Sequence, residues 1–557
     1  TINLRDNGTD RKIKARINLT VTGSVAEPLT ERLVFEPILN GKDYLVNPNN
    51  GDVELNPNQT VQFAVEEEPW YSTVEQLKWS SSNENVFTVD QEGKVTTKRK
   101  GSAYLQVQAV GYDRLTKSVK IVVGDEYDVN NYTLYHYYGG PIADIPDEKN
   151  IMYLSEDAFR GNTVVEEIIL PNTLTEIPEG AFSGCVNLKK VTFPAKCNII
   201  GNYAFSLIID NNRTYEACKN LETIIFEKPV DEITGEETDG TITVGKYAFA
   251  GCEKLKTIQH SKRITTANEG AFYLCAALEE IDITGLRIVG NSVFEECTSL
   301  ARVQTSPDTY IGNYMFAGCT SLQSFAFKSR RLSDYAFYNC ANLNSITFEN
   351  DLYYFGAGAF GGDRSQAYGD RRNNKLTSIT LPNGTYKIGA QAFLNCIALE
   401  KVVLSANTVI DLGSEDVFRN CTAFTAFDAA TSGNAHYSSN DGVLYSADGT
   451  TVIAVPVAKT GVTLLSSATK IGAGAFAGNR DAAFTIPAIV TEIGAYAFAG
   501  SSIKNVNLSG LNSVPEGAFS GCSLDSVTGW SGIQKIGAYA FCNALDRRAQ
   551  TLDLSAA

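Results

Sequence analysis

The side chains and spacings in this 557-residue chain that could do chemistry are soon tested. Gly356-Ala357-Gly358-Ala359-Phe360-Gly361 spells G-x-G-x-x-G, a spacing that lets backbone amides approach a pyrophosphate. No βαβ pattern surrounds it and a large ring lies inside it, so it is not read as a nucleotide site. The three histidines, His136, His260 and His436, lie far apart; His260 falls at an inward strand position, where a hydrogen-bonded or edge imidazole is expected rather than a general base. Glu179, Glu269 and Glu516 recur just before one aromatic position and could imitate a carboxylate array, but repetition along a solvated edge accounts for them. The run Asp231-Glu232 to Asp239, with Glu236 and Glu237, lacks the alternating oxygens of a calcium loop. Twelve cysteines offer no C-x-x-C pair for zinc. No nucleophile, base and orienting group converge, so the chain is read as not an enzyme, with no cofactor and no metal.

What remains is recognition chemistry. Tyr353, Tyr354, Tyr368, Arg371 and Arg372 gather rings and guanidinium groups around one insertion. Tyr and Arg are favoured at protein interfaces and also stack on sugars, and loops inserted into a rigid scaffold commonly carry binding. The plainer reading is exposed loop decoration.

The scaffold that must hold these groups is a repeat. Phenylalanines at 159, 182, 205, 249, 272, 294, 316, 337, 360, 393, 418, 476, 498, 519 and 541 occupy one position of a pattern spaced mostly 21 to 23 residues apart. A fixed period of that length predicts a solenoid whose units bury their apolar faces on one another. An apolar residue stands five places before most of these rings, as at Ile177, Ile311 and Ile493, and fails at Ala267 and Gly413. Alanine usually precedes the ring, which suits a corner where coils approach closely.

After each corner comes a short alternation, such as Ile281-Asp282-Ile283 or Ile346-Thr347-Phe348, which predicts one strand per unit. Strands all running one way build a parallel sheet along one side, so the fold class is an α/β repeat solenoid. At about 4.8 Å per strand it extends roughly 70 Å. The outward strand positions form a mixed column that includes Gln259, Asp282, Gln304 and Thr347, the surface expected to meet a ligand.

Nine cysteines stand three places after a column Phe, and Asn162, Asn479 or Ser501 replace them elsewhere. Interchange of Cys, Asn and Ser points to a small group bonding backbone at a turn, and hence to reduced, buried thiols rather than bridges. Residues 1–27 are read as a strand and hairpin segment, with Ile17 to Val21 extended after a turn at Asp6-Asn7-Gly8. Residues 28–125 read as an all-β sandwich cored by one Trp, and 126–150 as a junction. The junction residues Tyr132, Tyr135, His136, Tyr137 and Tyr138 suit a cap on the solenoid end, or else sugar stacking. The repeats take 151–557, interrupted near 431–465 by a hairpin with two Asp-Gly turns.

The consensus I-G-x-x-A-F-x-G-C-x-x-L, clearest from Ile311 to Leu322, resembles the BspA-like leucine-rich repeats. Trp79-Ser80-Ser81-Ser82-Asn83, Val89-Asp90, Gly93-Lys94-Val95 and Gly101-Ser102-Ala103 resemble the bacterial Ig-like modules that act as spacers. The resemblance implies a leucine-rich repeat solenoid behind an Ig-like sandwich, extracellular on the bacterial cell surface and lipid-anchored in its full-length form. It also implies adhesion to host extracellular-matrix proteins or to other bacteria, and it carries over no site residue. The last strand, Leu552-Asp553-Leu554, shows no cap, so further chain is expected beyond it.

A net charge of −16 argues against nucleic acid or anionic lipid as partner, and no apolar run is long enough to span a membrane. The sequence therefore predicts a non-enzymatic surface binding protein with a protein partner. Capture of a glycan for nutrient uptake and a purely structural spacer are the alternatives.

Overall fold

The computed structural model describes residues 32–38, 51–68, 76–111, 116–210, 213–230, 234, 237–362, 375–412 and 416–544. The strand expected at Ile17 to Val21, the turn at Asp6 to Gly8 and the strand at Leu552 to Leu554 lie outside the described residues. The chain forms two compact units, Thr1–Ile168 and Ile169–Ala557.

In the first unit, eight strands make two four-stranded sheets. Gly101–Ala109 runs antiparallel between Leu77–Ser81 and Thr116–Val123, and Val53–Leu55 pairs parallel with the last of these. Inward positions of the strand Gly101–Ala109 alternate strictly, burying Ala103, Leu105, Val107 and Ala109. Trp79 is 5 % exposed in that core, beside Phe63, Phe87 and Ile121, which is the sandwich the alternation predicts. Further along the unit, Tyr127–Asn130 and Thr133–Tyr137 form a hairpin across Asn131 and Tyr132, both left-handed. Tyr137 is buried, its ring 5.5 Å from that of Tyr127 and 5.3 Å from that of Phe159. Tyr132 and Tyr135 point to solvent instead. Burial opposes the charge of Asp125, yet Lys149 at 2.9 Å, the Tyr127 amide and Lys100 at 3.1 Å hold its carboxyl down at about 2.

The second unit is a leucine-rich-repeat solenoid of parallel strands. Lys190–Phe193, Thr223–Phe226 and Thr257–Gln259 lie in register, and later coils repeat the pairing at Glu280–Asp282 with Arg302–Gln304 and at Ser324–Phe327 with Ser345–Phe348. A second parallel ladder runs beside it through Glu176–Ile177, Ile199–Ile200, Ile242–Val244, Ile264–Ala267 and Ile288–Val289. These two- to four-residue strands are too short to show alternation in a sequence, and they place the apolar residue five before the Phe into the core in several coils: Ile177, Ile200, Val244 and even Ala267 are 0–1 % exposed.

The corner that carries the Phe is made of turns, and no α-helix occurs among the described residues. Residues two before the ring adopt left-handed backbone, with φ of 52° at Tyr203, 50° at Tyr247, 60° at Gly270 and 57° at Tyr496. So do residues two after it, as at Gly251, Glu296 and Asn339. Two left-handed residues within five rule out a right-handed helix. The glycine of I-G is required by contact: a Cβ on Gly290 would lie 2.3 Å from the Glu269 amide nitrogen of the preceding coil.

Every column ring but Phe541 is buried, and rings of successive coils stack at 4.6 to 5.9 Å from Phe182 to Phe418 and again at 4.9 to 5.3 Å from Phe476 to Phe541. The cysteines are free, and from Cys218 onward the column thiols reach the carbonyl of the previous coil's Phe, as Cys275 to Phe249 at 3.3 Å and Cys421 to Phe393 at 3.0 Å. Asn479 does the same work with its amide, donating to Pro456 at 2.8 Å. Burial pushes the thiols of Cys275, Cys297 and Cys421 far above the ordinary range, which keeps them protonated as donors.

Between Phe418 and Phe476 the strands Tyr437–Asn440, Val443–Ser446 and Thr451–Ala454 form an antiparallel meander. Asp441 and Gly442 supply its left-handed turn.

Candidate binding surface

Strands such as Thr257–Gln259 and Glu280–Asp282 turn the middle side chain inward and both neighbours outward, so the sheet presents two columns there rather than the one expected. Gln259, Gln304 and Thr347 are exposed on it and Asp282 is half-buried. Register sets Glu280 beside Arg302 and Asp282 beside Gln304. Arg302 Nε and Nη2 both donate to Glu280 Oε2, at 3.0 and 2.8 Å. Asp282 Oδ1 accepts the amide of Thr284 at 2.9 Å and its hydroxyl at 2.6 Å, which holds the carboxylate against its own strand end. The outward column is not open throughout: Thr192 is buried, and Asp428 lies under Lys401 and Thr431.

Around Asp282 and Gln304 the sheet carries a depression of about 550 Å³, rimmed also by His260, Lys262, Glu280 and Arg302. His260 is not at an inward strand position. The strand ends at Gln259, His260 turns left-handed with φ 59° and is exposed, and a short 3-10 turn at Ser261–Arg263 follows. The inward place falls to Arg263, 1 % exposed, which donates to the carbonyls of Asp239 at 2.8 Å, Ala195 at 2.9 Å and Glu227. That clamp ties the end of the 229–242 insertion to two earlier coils. Lys262 pairs with Asp239 at 2.8 Å, which raises the lysine and lowers the carboxyl. Glu280 and Arg302 escaped the sequence reading, although the alternation that places Asp282 and Gln304 outward also turns them outward. His260 and Lys262 were not legible, because the local alternation continues the strand through them.

The aromatic insertion resolves differently. Tyr353 is 63 % exposed, whereas Tyr354 is engaged: its hydroxyl donates to Asp334 Oδ1 at 2.8 Å and the Arg331 guanidinium covers its ring at 3.9 Å. Tyr310 stands nearby through its hydroxyl on Ser333. Tyr368, Arg371 and Arg372 lie outside the described residues, as do Asp231, Glu232 and Glu236. Glu269 and Glu516 each take a hydroxyl from a tyrosine of the preceding coil, Tyr247 at 3.4 Å and Tyr496 at 2.8 Å. No metal-sized group of His, Cys, Asp and Glu occurs among the described residues, and no helix there is long and apolar enough to cross a membrane.

The BspA type leucine rich repeat region matches residues 130–237, 211–330, 364–440 and 459–546, well over half of the chain. The chain belongs to the BspA-type leucine-rich repeat family. A bacterial Ig-like domain of group 2 matches residues 46–119, across the sandwich. Similar solved structures include a leucine-rich repeat protein from Bacteroides ovatus, 20 % identical over 76 % of this chain and 91 % of that one, with a TM-score of 0.41. Another is a leucine rich cell surface protein from Faecalibacterium prausnitzii, 20 % identical over 75 % and 91 % of the two chains, with a TM-score of 0.22. No curated protein matches significantly.

Proposed function

We propose that this chain is a non-enzymatic binding protein of the bacterial cell surface that grips a host matrix protein or a surface protein of another bacterium with its sheet face. The observation that carries the reading is the depression in which Lys262, Arg302, Glu280, Asp282, His260 and Gln304 converge from three coils. Both signs of charge, an amide and an imidazole on a rigid ladder suit a polypeptide with complementary side chains. Exposed pairs of this kind steer and select more than they hold, so affinity per site is expected to be modest and raised by display in many copies.

The experiment is binding of the full chain, arrayed densely on beads, to a panel of matrix proteins, mucins and whole bacteria. Arg302→Glu should abolish a protein hit that relies on this face and leave the fold intact, since the side chain is 69 % exposed. A panel without hits, or a hit that ignores Arg302→Glu, would remove the proposal.

Glycan capture is a second reading, favoured by Tyr353, which is open to stack on a sugar face. It predicts oligosaccharide binding that Tyr353→Ala abolishes. Tyr354→Ala would act indirectly, by freeing Arg331 and Asp334.

A further inference from the structure

In the ordinary coil, three backbone amides bridge to the next coil: those two before the column Phe, at the Phe, and two after it. Around Phe272, for example, Gly270 donates to Asn291 at 2.9 Å, Phe272 to Val293 at 2.9 Å and Leu274 to Glu295 at 3.0 Å. The same three bonds join Phe498's coil to the next, through Tyr496, Phe498 and Gly500. At Phe418 all three stop. The amides of Asp416, Phe418 and Asn420 make no hydrogen bond among the described residues, although this corner is otherwise built like the others.

The cause is the meander. It returns the chain to the solenoid at Val455, whose amide donates to Ala475 at 2.7 Å, the bond that a column Phe makes. Val455 therefore occupies the column without an aromatic ring, and the ring stack is interrupted between Phe418 and Phe476. Phe418 is 8 % exposed, where the column rings from Phe159 to Phe393 are 0–1 %. A cleft of about 490 Å³ opens at this place, lined by Phe418, Phe424, Val455 and Ala475, with Arg419 and Arg480 at its rim. Arg480 makes no ion pair among the described residues, while Arg419 faces only Asp416 at 3.5 Å, both exposed.

We propose that this cleft binds a short extended peptide segment of a partner protein, carrying an aromatic side chain flanked by acidic residues. The peptide supplies what the missing rung lacks. Its carbonyls accept from the amides of Asp416, Phe418 and Asn420, as an added strand does at a sheet edge. Its ring packs beside Val455 against the pair formed by Phe418 and Phe424, whose rings already lie 4.5 Å apart, and its carboxylates meet Arg419 and Arg480. At about 490 Å³ the cleft lies within the size range of ligand pockets. This site lies on the turn side of the coils and stands apart from the sheet-face reading.

The test uses the full chain and a fluorescent acetyl-DAFDG-amide peptide, read by anisotropy and by hydrogen exchange. Saturable binding is expected, weakened at least fivefold when the peptide Phe becomes Ala, when its acids become Lys, and in Arg480→Gln. Val455→Phe, which places a ring in the gap, should abolish it. Exchange at residues 416–420 should slow on binding. No binding at millimolar peptide, equal binding by the Ala or Lys peptides, indifference to Arg480→Gln, or binding without slowed exchange at 416–420 would each overturn the proposal. Arg480 is exposed, so that variant remains informative if Val455→Phe fails to fold.

Discussion

Truncating one ring in the middle of the column tests the physics of the whole array. Phe272 is 0 % exposed, with Phe249 stacked at 5.3 Å and 5° on one face and Phe294 at 5.4 Å and 7° on the other. Phe272→Ala removes the ring from both neighbours at once and leaves a cavity that rigid coils cannot close. Buried Phe→Ala changes cost about 3–5 kcal/mol, and the loss of two stacked contacts places this site toward the upper end. Repeat proteins owe their stability to nearest-neighbour interfaces, so the loss should be local. The assay is hydrogen exchange of the full chain at the amides of Phe249, Phe272 and Phe294, which bond to Ala271, Val293 and Met315 at 2.9, 2.9 and 3.0 Å. Their exchange should accelerate by roughly two to four orders of magnitude, since each 1.4 kcal/mol is about tenfold. Phe541→Ala, at the partly exposed end of the column, should accelerate its own neighbours far less. An acceleration below tenfold at Phe272, or one no larger than at Phe541, would refute the stacking argument.

Gly270→Ala should destabilise through two effects, a left-handed φ of 60° and a Cβ 2.2 Å from the Tyr247 ring; Tyr247→Ala in the same chain should recover the steric part, as a double-mutant cycle in urea would show. Burial opposes the charge of Asp428, but Lys401 at 2.5 Å and Thr431 hold its carboxyl at about 2. Its contribution is therefore complete above the unfolded value of about 3.9 and is lost as pH falls through about 2, so Asp428→Asn should lower the melting temperature at pH 7 and flatten its fall across that acid window. Arg263→Met strips three carbonyls of their donor and should cost about 2–4 kcal/mol, read as faster exchange at residues 237–242 before the rest of the solenoid responds.

The column Phe, the alanine before it and the Cys after it were legible because each acts within one turn, and the turn recurs. The Cys, Asn and Ser exchange even disclosed the hydrogen bond, since only a small donor survives all three. The second parallel ladder was not legible, because strands of two to four residues leave almost no period to detect. His260 was misplaced because alternation along a strand cannot tell where the strand ends. Arg263 shows the reason: a buried guanidinium needs carbonyls from Ala195, Glu227 and Asp239, and no local pattern reveals them. The partition of the tyrosines, Tyr353 open and Tyr354 held by Arg331 and Asp334, likewise depends on the neighbouring coil.

The sequence by itself determined the architecture, a sandwich followed along the chain by a parallel solenoid, since apolar period, turn residues and strand alternation are local properties that add up along the chain. Tertiary structure alone decided which outward residues converge on the sheet depression and where, among the described residues, the ladder of amides stops at Phe418. Both depend on hydrogen-bond partners and packing neighbours one coil away, whose register follows from how insertions return the chain to the stack.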